Sequence, residues 1–269
     1  RAVILLIHGT GLHSGFYAPW ASHARDHGFA VFGLDLRGWG QSQGYGRPGY
    51  VEDYKKYLDD LKVGYEEVKR RYPDLPVFLQ GESLGGAVVL LGEISGQTPA
   101  DGLILNAPAV AGNPGFGFFR APQFLANFGL SVAGFSARGW PNFPSVPMNR
   151  LAARVVFIDK EASHRYVEDP HCTHSWLAAD YVTSVAESMK YVREQSNRVT
   201  TPILVQHGTR DRLVPLSSSE KLVKHAASRD KALRVYNDLS HATLHVKGRE
   251  RVWRDILLWM DQRLETDGH

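Results

Sequence analysis

The chain has 269 residues, 43% of them hydrophobic and 22% charged, enough to bury the core of one large α/β domain carrying an insertion. Its net charge of +3 comes from Lys and Arg scattered among Asp and Glu, so no concentrated basic face forms and a nucleic-acid partner is not expected. The single cysteine, Cys172, excludes an internal disulfide, and no stretch reaches the roughly 20 apolar residues that a membrane-spanning helix needs.

Short apolar, β-branched runs alternate with longer amphipathic stretches, the pattern of βα units on a mostly parallel sheet flanked by helices. The chain opens at Arg1 straight into "AVILLIHG", with no methionine and no signal-peptide pattern, so residues before it are expected to be missing. Nothing demands an oxidising compartment, and a cytoplasmic setting is favoured. Strands are expected at Val3–Ile7, Ala30–Leu34, Val77–Gln80, Leu103–Leu105, Ile203–Gln206 and Leu233–Tyr236, each bounded by Gly, Pro, Asp or Asn. Helices are expected at Tyr17–Asp26, Val51–Arg71, Ser83–Ile94, Ser218–Ala227 and Glu250–Arg263. The second of these carries Tyr54, Leu58, Leu61, Tyr65 and Val68 at three- and four-residue intervals, which predicts one buried stripe.

Between about Ala107 and Thr200 the alternation stops. Seven of the 12 phenylalanines (Phe116, Phe118, Phe119, Phe124, Phe128, Phe135 and Phe143) fall in one stretch of this segment, rich in Gly and Pro. An insertion between two strands of one sheet accounts for this, giving a core in two parts, 1–106 and 201–269, around an insertion at 107–200. Insertions of this kind often carry function.

Gly81-Glu82-Ser83-Leu84-Gly85 fits G-x-S-x-G, with an apolar "VFLQ" before it and "AVVLL" after it. A strand that turns into a helix this tightly strains the serine and crowds the flanking positions, which glycines tolerate because they lack Cβ. The serine hydroxyl then stands above the sheet beside a helix N-terminus. As a plain helix N-cap Ser83 would fit the turn as well, but strand and helix together favour a nucleophile.

A serine needs a base to take its proton. "ILVQHGTRDRLVP" places Asp211 just past a strand, and "LRVYNDLSHATLH" places His241 after the next one, in the order the elbow fold requires. The competitors are Asp238, read as a turn residue; His245, read as a surface or packing residue; and His207, read as structural. Two backbone amides should hold an oxyanion: Leu84, and Thr10 in the "HGTGLHSGFY" loop, where Gly9 lets the chain turn. "GYGRPG" (Gly44, Gly46, Gly49) formally fits G-x-G-x-x-G, but it lies about ten residues past a strand and contains Pro48, so it reads as a turn. His164 to Asp169 is set aside as a chance H-x4-D match among 12 histidines. Asp35, Arg37, Gly38 and Gly40 read as scaffold at the pocket rim, and Cys172 as a small buried hydrophobe. No clustered Cys/His spacing implies a metal, and no cofactor is expected.

Taken together, "HGTGLHSGFY", "LDLRGWGQSQG", "GESLGGAV", "HGTRDRLVP" and "KHAASRDKALRVYNDLSHATLH" resemble the monoacylglycerol lipase and lysophospholipase group of the α/β-hydrolase superfamily. The acidic elbow and "SRDKALRVYNDLSH" look most like plant-type members, which include caffeoylshikimate-esterase-like enzymes. The resemblance implies Ser83 as nucleophile, His241 as base, Asp211 as acid, the Thr10 and Leu84 amides as oxyanion hole, and residues 107 to 200 as a cap. The implied activity is hydrolysis of a small acyl ester, with a medium-to-long acyl chain favoured by the Phe-rich segment and reversible contact with lipid surfaces through the cap. Other carboxylesterase, acyltransferase or peptidase chemistry on the same three residues stays open, as does a non-catalytic ligand-binding protein on the same fold.

Overall fold

The computed structural model describes residues 1–42, 48–112, 144–148 and 150–266. Six parallel strands form one sheet: β1 (Ala2–Ile7), β2 (Phe29–Leu34), β3 (Val77–Glu82), β4 (Gly102–Asn106), β7 (Ile203–Gly208) and β8 (Lys231–Tyr236), in the order β2-β1-β3-β4-β7-β8. The four central strands are buried along their whole length, as expected of a parallel sheet covered on both faces, while β8 at the edge is half exposed. Helix α1 (Ala18–Asp26) pairs with α8 (Arg249–Thr266), where the Trp20 and Trp253 rings lie 5.9 Å apart. Helices α2 (Lys55–Arg71) and α3 (Leu84–Ser95) pack together, and α7 (Leu216–His225) lies along β7 and β8.

All six expected strands and all five expected helices form, with ends displaced by a few residues. The largest displacement is at α2, which starts at Lys55 because Asp53 Oδ1 accepts the Lys55 N–H at 2.9 Å and caps the first turn. Its buried stripe also includes Tyr57, whose hydroxyl accepts the Trp39 indole N–H at 3.2 Å.

The segment between β4 and β7 holds α4 (Arg150–Val156), α5 (Lys160–Glu168), α6 (Ala179–Gln195) and a short antiparallel pair, β5 (Pro144–Pro147) with β6 (Trp176–Ala178). That pair corrects the expectation of a strand-free segment. β5 is four residues long with proline at both ends, so no alternating pattern marked it. The seven phenylalanines of the aromatic cluster, with Gly44 and Gly46, lie outside the described residues. Among the described residues no helix is long and apolar enough to cross a membrane.

A row of buried amides crosses the sheet just below its C-terminal rim. The Trp20 indole N–H donates to Gln80 Oε1 at 2.8 Å, Gln80 Nε2 to Asn106 Oδ1 at 3.0 Å, and Asn106 Nδ2 to Gln206 Oε1 at 2.8 Å. Gln206 Nε2 continues the row to the Tyr236 hydroxyl at 2.6 Å, which donates to Asp255 at 2.8 Å. Gln80, Asn106 and Gln206 are fully buried, so each amide depends on its neighbour for its hydrogen bonds. Asn106→Leu keeps the volume but orphans Gln80 Nε2 and Gln206 Oε1. It should cost about 2–4 kcal/mol, seen as a lower urea midpoint at unchanged slope; an unchanged midpoint would refute the role given to the row.

Candidate active site

The chain runs from β1 to β2 on one side and then to β3 on the other, so the sheet order reverses at the β1/β3 boundary. Open α/β sheets bind ligands at the strand C-termini beside such a reversal. Two loops meet there, the one after β1 and the turn from β3 into α3.

Ser83 sits on that turn with φ 52° and ψ −112°, a conformation that costs a non-glycine residue about 1–3 kcal/mol. Its neighbours hold it there. The Ser83 N–H donates to Asn106 O at 2.9 Å, and Ser83 O accepts from Ala87 N–H at 3.2 Å and from Ala109 N–H at 2.9 Å. The glycines are required by space. A Cβ at Gly81 would lie 2.3 Å from the Gly85 carbonyl carbon, and one at Gly85 would lie 2.1 Å from Ile7 O. The same close packing brings Gly9 beside the serine: a Cβ there would sit 3.5 Å from Ser83 Cβ. Ser83 is partly exposed, whereas Leu84 beneath it is buried and opens α3, where the first N–H groups have no partner within the helix.

Asp211 and His241 meet directly, Nδ1 of the imidazole donating to Asp211 Oδ2 at 2.7 Å, with both side chains almost fully buried. Oδ1 of the same carboxylate accepts the Leu213 and Val214 N–H groups at 2.8 and 2.9 Å. His207 Nε2 lies 3.2 Å from Oδ2 while its hydrogen bond goes to Val214 O at 3.1 Å, and Nδ1 of its ring meets Ser219 Oγ at 2.8 Å. Burial would push the Asp211 carboxyl up, but the two histidines and the Val214 amide outweigh it and hold it well below the carboxylate range. For His241 burial works downward. The attraction and hydrogen bond of Asp211, with a further pull from Glu82, raise it above the ordinary 6.5. Asp238 takes a left-handed conformation with φ 71°, as a turn residue.

Of its two expected places, surface or packing, His245 takes the second and adds a polar bond to it. It is 3% exposed, and its ring packs against Phe16, Tyr17 and Phe157. Its Nε2 donates to Glu82 Oε2 at 3.1 Å, which draws the His241 loop against the elbow. The same oxygen accepts from the Tyr17 hydroxyl at 2.5 Å, and Tyr17 Oη in turn accepts the Gly9 N–H at 3.0 Å. Sequence reasoning missed this cluster. Its signal was an acid at the end of a strand that is otherwise fully buried, a place where a carboxylate must find partners.

The segment between β4 and β7 reaches over the first loop. Thr10 Oγ1 hydrogen-bonds the Tyr181 hydroxyl at the start of α6, and Thr173 N–H donates to Gly11 O at 2.9 Å. His13 Nε2 meets Asp169 Oδ2 at 3.0 Å. With Cys172 these two form the one group of described residues whose ligand atoms, all within 4.8 Å, could hold a metal ion. Burial pushes the Cys172 thiol far up, toward its protonated form, so the group fits packing better than ligation. His164 pairs with Glu168 rather than with Asp169. Asp35 and Arg37 are scaffold as expected: Asp35 accepts the Ser14 and Gln41 N–H groups, and Arg37 is held by Asp60.

The family model for serine aminopeptidase S33 matches residues 1–247. A monoacylglycerol lipase of Mycolicibacterium smegmatis is 29% identical over 98% of this chain and 89% of its own. A monoglyceride lipase of Rattus norvegicus is 28% identical over 100% of this chain and 85% of its own. Among solved structures, the monoacylglycerol lipase of Paleococcus ferrophilus superposes with a TM-score of 0.82 at 25% identity, over 97% of this chain and 94% of that one. The chain therefore belongs to the serine aminopeptidase S33 family of α/β-hydrolases, and within it is monoacylglycerol lipase-like in sequence and fold.

Proposed function

We propose that this chain is a serine esterase that hydrolyses monoacylglycerol-like esters through an acyl-enzyme on Ser83. The observation that carries the reading is the Asp211–His241 pair at 2.7 Å, at the sheet rim where the strained Ser83 also stands. His241 takes the Ser83 proton as Oγ attacks the ester carbonyl carbon. The carbonyl electrons move onto oxygen, where the Leu84 and Thr10 amides stabilise them. Collapse of the intermediate breaks the bond to the alcohol, which leaves with the proton from His241. Water then repeats the sequence on the acyl-enzyme, releasing the carboxylic acid and restoring Ser83. Asp211, ionised and held by three donors, fixes the imidazole and stabilises its charged form.

Residues 1–106 and 201–269 are the catalytic core in this reading, and 107–200 are the cap. The contacts of Tyr181, Thr173 and Asp169 with the first loop support that division. A medium-to-long acyl chain is part of this reading, which follows the monoacylglycerol lipase relatives. Reversible contact with a lipid surface belongs to the same reading, with Trp176 of β6 48% exposed on the cap. So does a cytoplasmic setting, since the lone Cys172 asks for no oxidation.

Ser83→Ala should abolish turnover and labelling by a fluorophosphonate while leaving the melting temperature nearly unchanged. Labelling that survives the substitution would move the nucleophile elsewhere. A series of monoacylglycerols of graded chain length should show kcat/KM rising with the apolar surface buried, since each methylene is worth about 0.8 kcal/mol when fully enclosed; a flat series would sink the lipid assignment. The base must be neutral to accept a proton, so activity falls as pH drops through a His241 value lying above 6.5. The acid limb of kcat/KM should therefore have its midpoint above 6.5, and a midpoint below it would remove His241 as the base.

A further inference from the structure

Glu82 is a charged residue that the reaction scheme leaves unused, and its placement gives it a use. It is 2% exposed, and it directly precedes Ser83. Oε2 gathers two donors from two different loops: Tyr17, which also accepts the Gly9 N–H beside the oxyanion position, and His245, four residues past His241. Oε1 is buried and has no hydrogen-bond partner among the described residues. A carboxylate with one oxygen left unpartnered in a closed interior acts on its neighbours more strongly than it would in water.

The geometry points to Glu82 as a second carboxylate of the active site, a positioning residue that works through its neighbours. Its charge favours the imidazolium of His241, and its bridge through Tyr17 fixes the Gly9–Thr10 loop against the elbow. This inference rests on the esterase reading. Other groups bear on the same point: Asp211, itself faced by His207, acts on His241 from the loop after β7, and His245 and Tyr17 act on Glu82. Burial lowers the nearby His8 to about 4 and leaves it uncharged. Burial pushes the Glu82 carboxyl up. His245, Tyr17 and His241 outweigh burial and leave it below the ordinary carboxylate value, so it is ionised where the enzyme works. His241 gains from Glu82 in addition to the larger contribution of Asp211.

Two variants separate the two halves of the claim. Glu82→Gln removes the charge and keeps the shape. It should lower the midpoint of the acid limb of kcat/KM by about one pH unit and lower the plateau about tenfold. A filler role would reduce the plateau and leave the midpoint where it was, and that outcome overturns the inference. Tyr17→Phe keeps the charge but cuts the bridge to Gly9. It should lower kcat about tenfold or more with KM near the parent value and the midpoint unmoved; an unchanged kcat overturns the inference even if Glu82→Gln fails to fold. Fluorophosphonate labelling of the parent chain is read first. If Ser83 takes no label in the folded parent, the esterase reading has failed; if it labels and the variants behave as the parent does, only the role of Glu82 has failed.

Discussion

The close approach of α3 to the end of β1 is the constraint on which the site depends. Gly85 lies so near Ile7 O that no side chain fits between them, and Gly81 lies as near to Gly85. The helix therefore starts almost on top of two strands, and the serine between them has only one way to point. The strain in Ser83 is held by backbone hydrogen bonds from β4 and from the residues just after it, so it is paid for by the sheet as a whole. The same packing sets Gly9 beside Ser83, so the loop after β1 lies against the elbow.

Charge at the rim is arranged on top of that frame. Two carboxylates are buried there, and each gathers donors from several loops. Asp211 takes its donors from its own turn and from His241, which it holds by Nδ1, with His207 3.2 Å away on the other side. Glu82 takes its donors from the loop after β1 and from the loop after β8. Both anions raise the basicity of His241, the first by contact and the second through space. An imidazole lifted in this way is a stronger proton acceptor, and it is protonated over a wider acid range.

Much of this was legible in the residues. The elbow, the acid and the base each follow a strand in the order the fold demands, and the glycines mark where backbones touch. The structure brings Asp211 and His241 together at 2.7 Å, gives Asp238 a left-handed backbone and pairs the His207 ring with Ser219. His245 is the packing residue its position allowed, but nothing along the chain announces the carboxylate across the site that it also meets. Glu82 was noted only as a variant letter in a motif, since a sequence does not display burial and its partners lie 65 and 163 residues away. The β5–β6 pair was invisible because prolines bracket so short a strand. Local periodicity reports elements well, and long-range polar pairing leaves no periodic trace.

The row of amides from Trp20 to Asp255 has a consequence for the history of such chains. Asn106 and Gln206 are 100 residues apart, yet they clasp side by side in neighbouring strands. The two ends of everything between them are thereby pinned at one width, whatever the intervening chain contains. A replacement stretch of different length or composition could be spliced in at that clasp without disturbing the sheet, so selectivity can drift while the chemical machinery stays put.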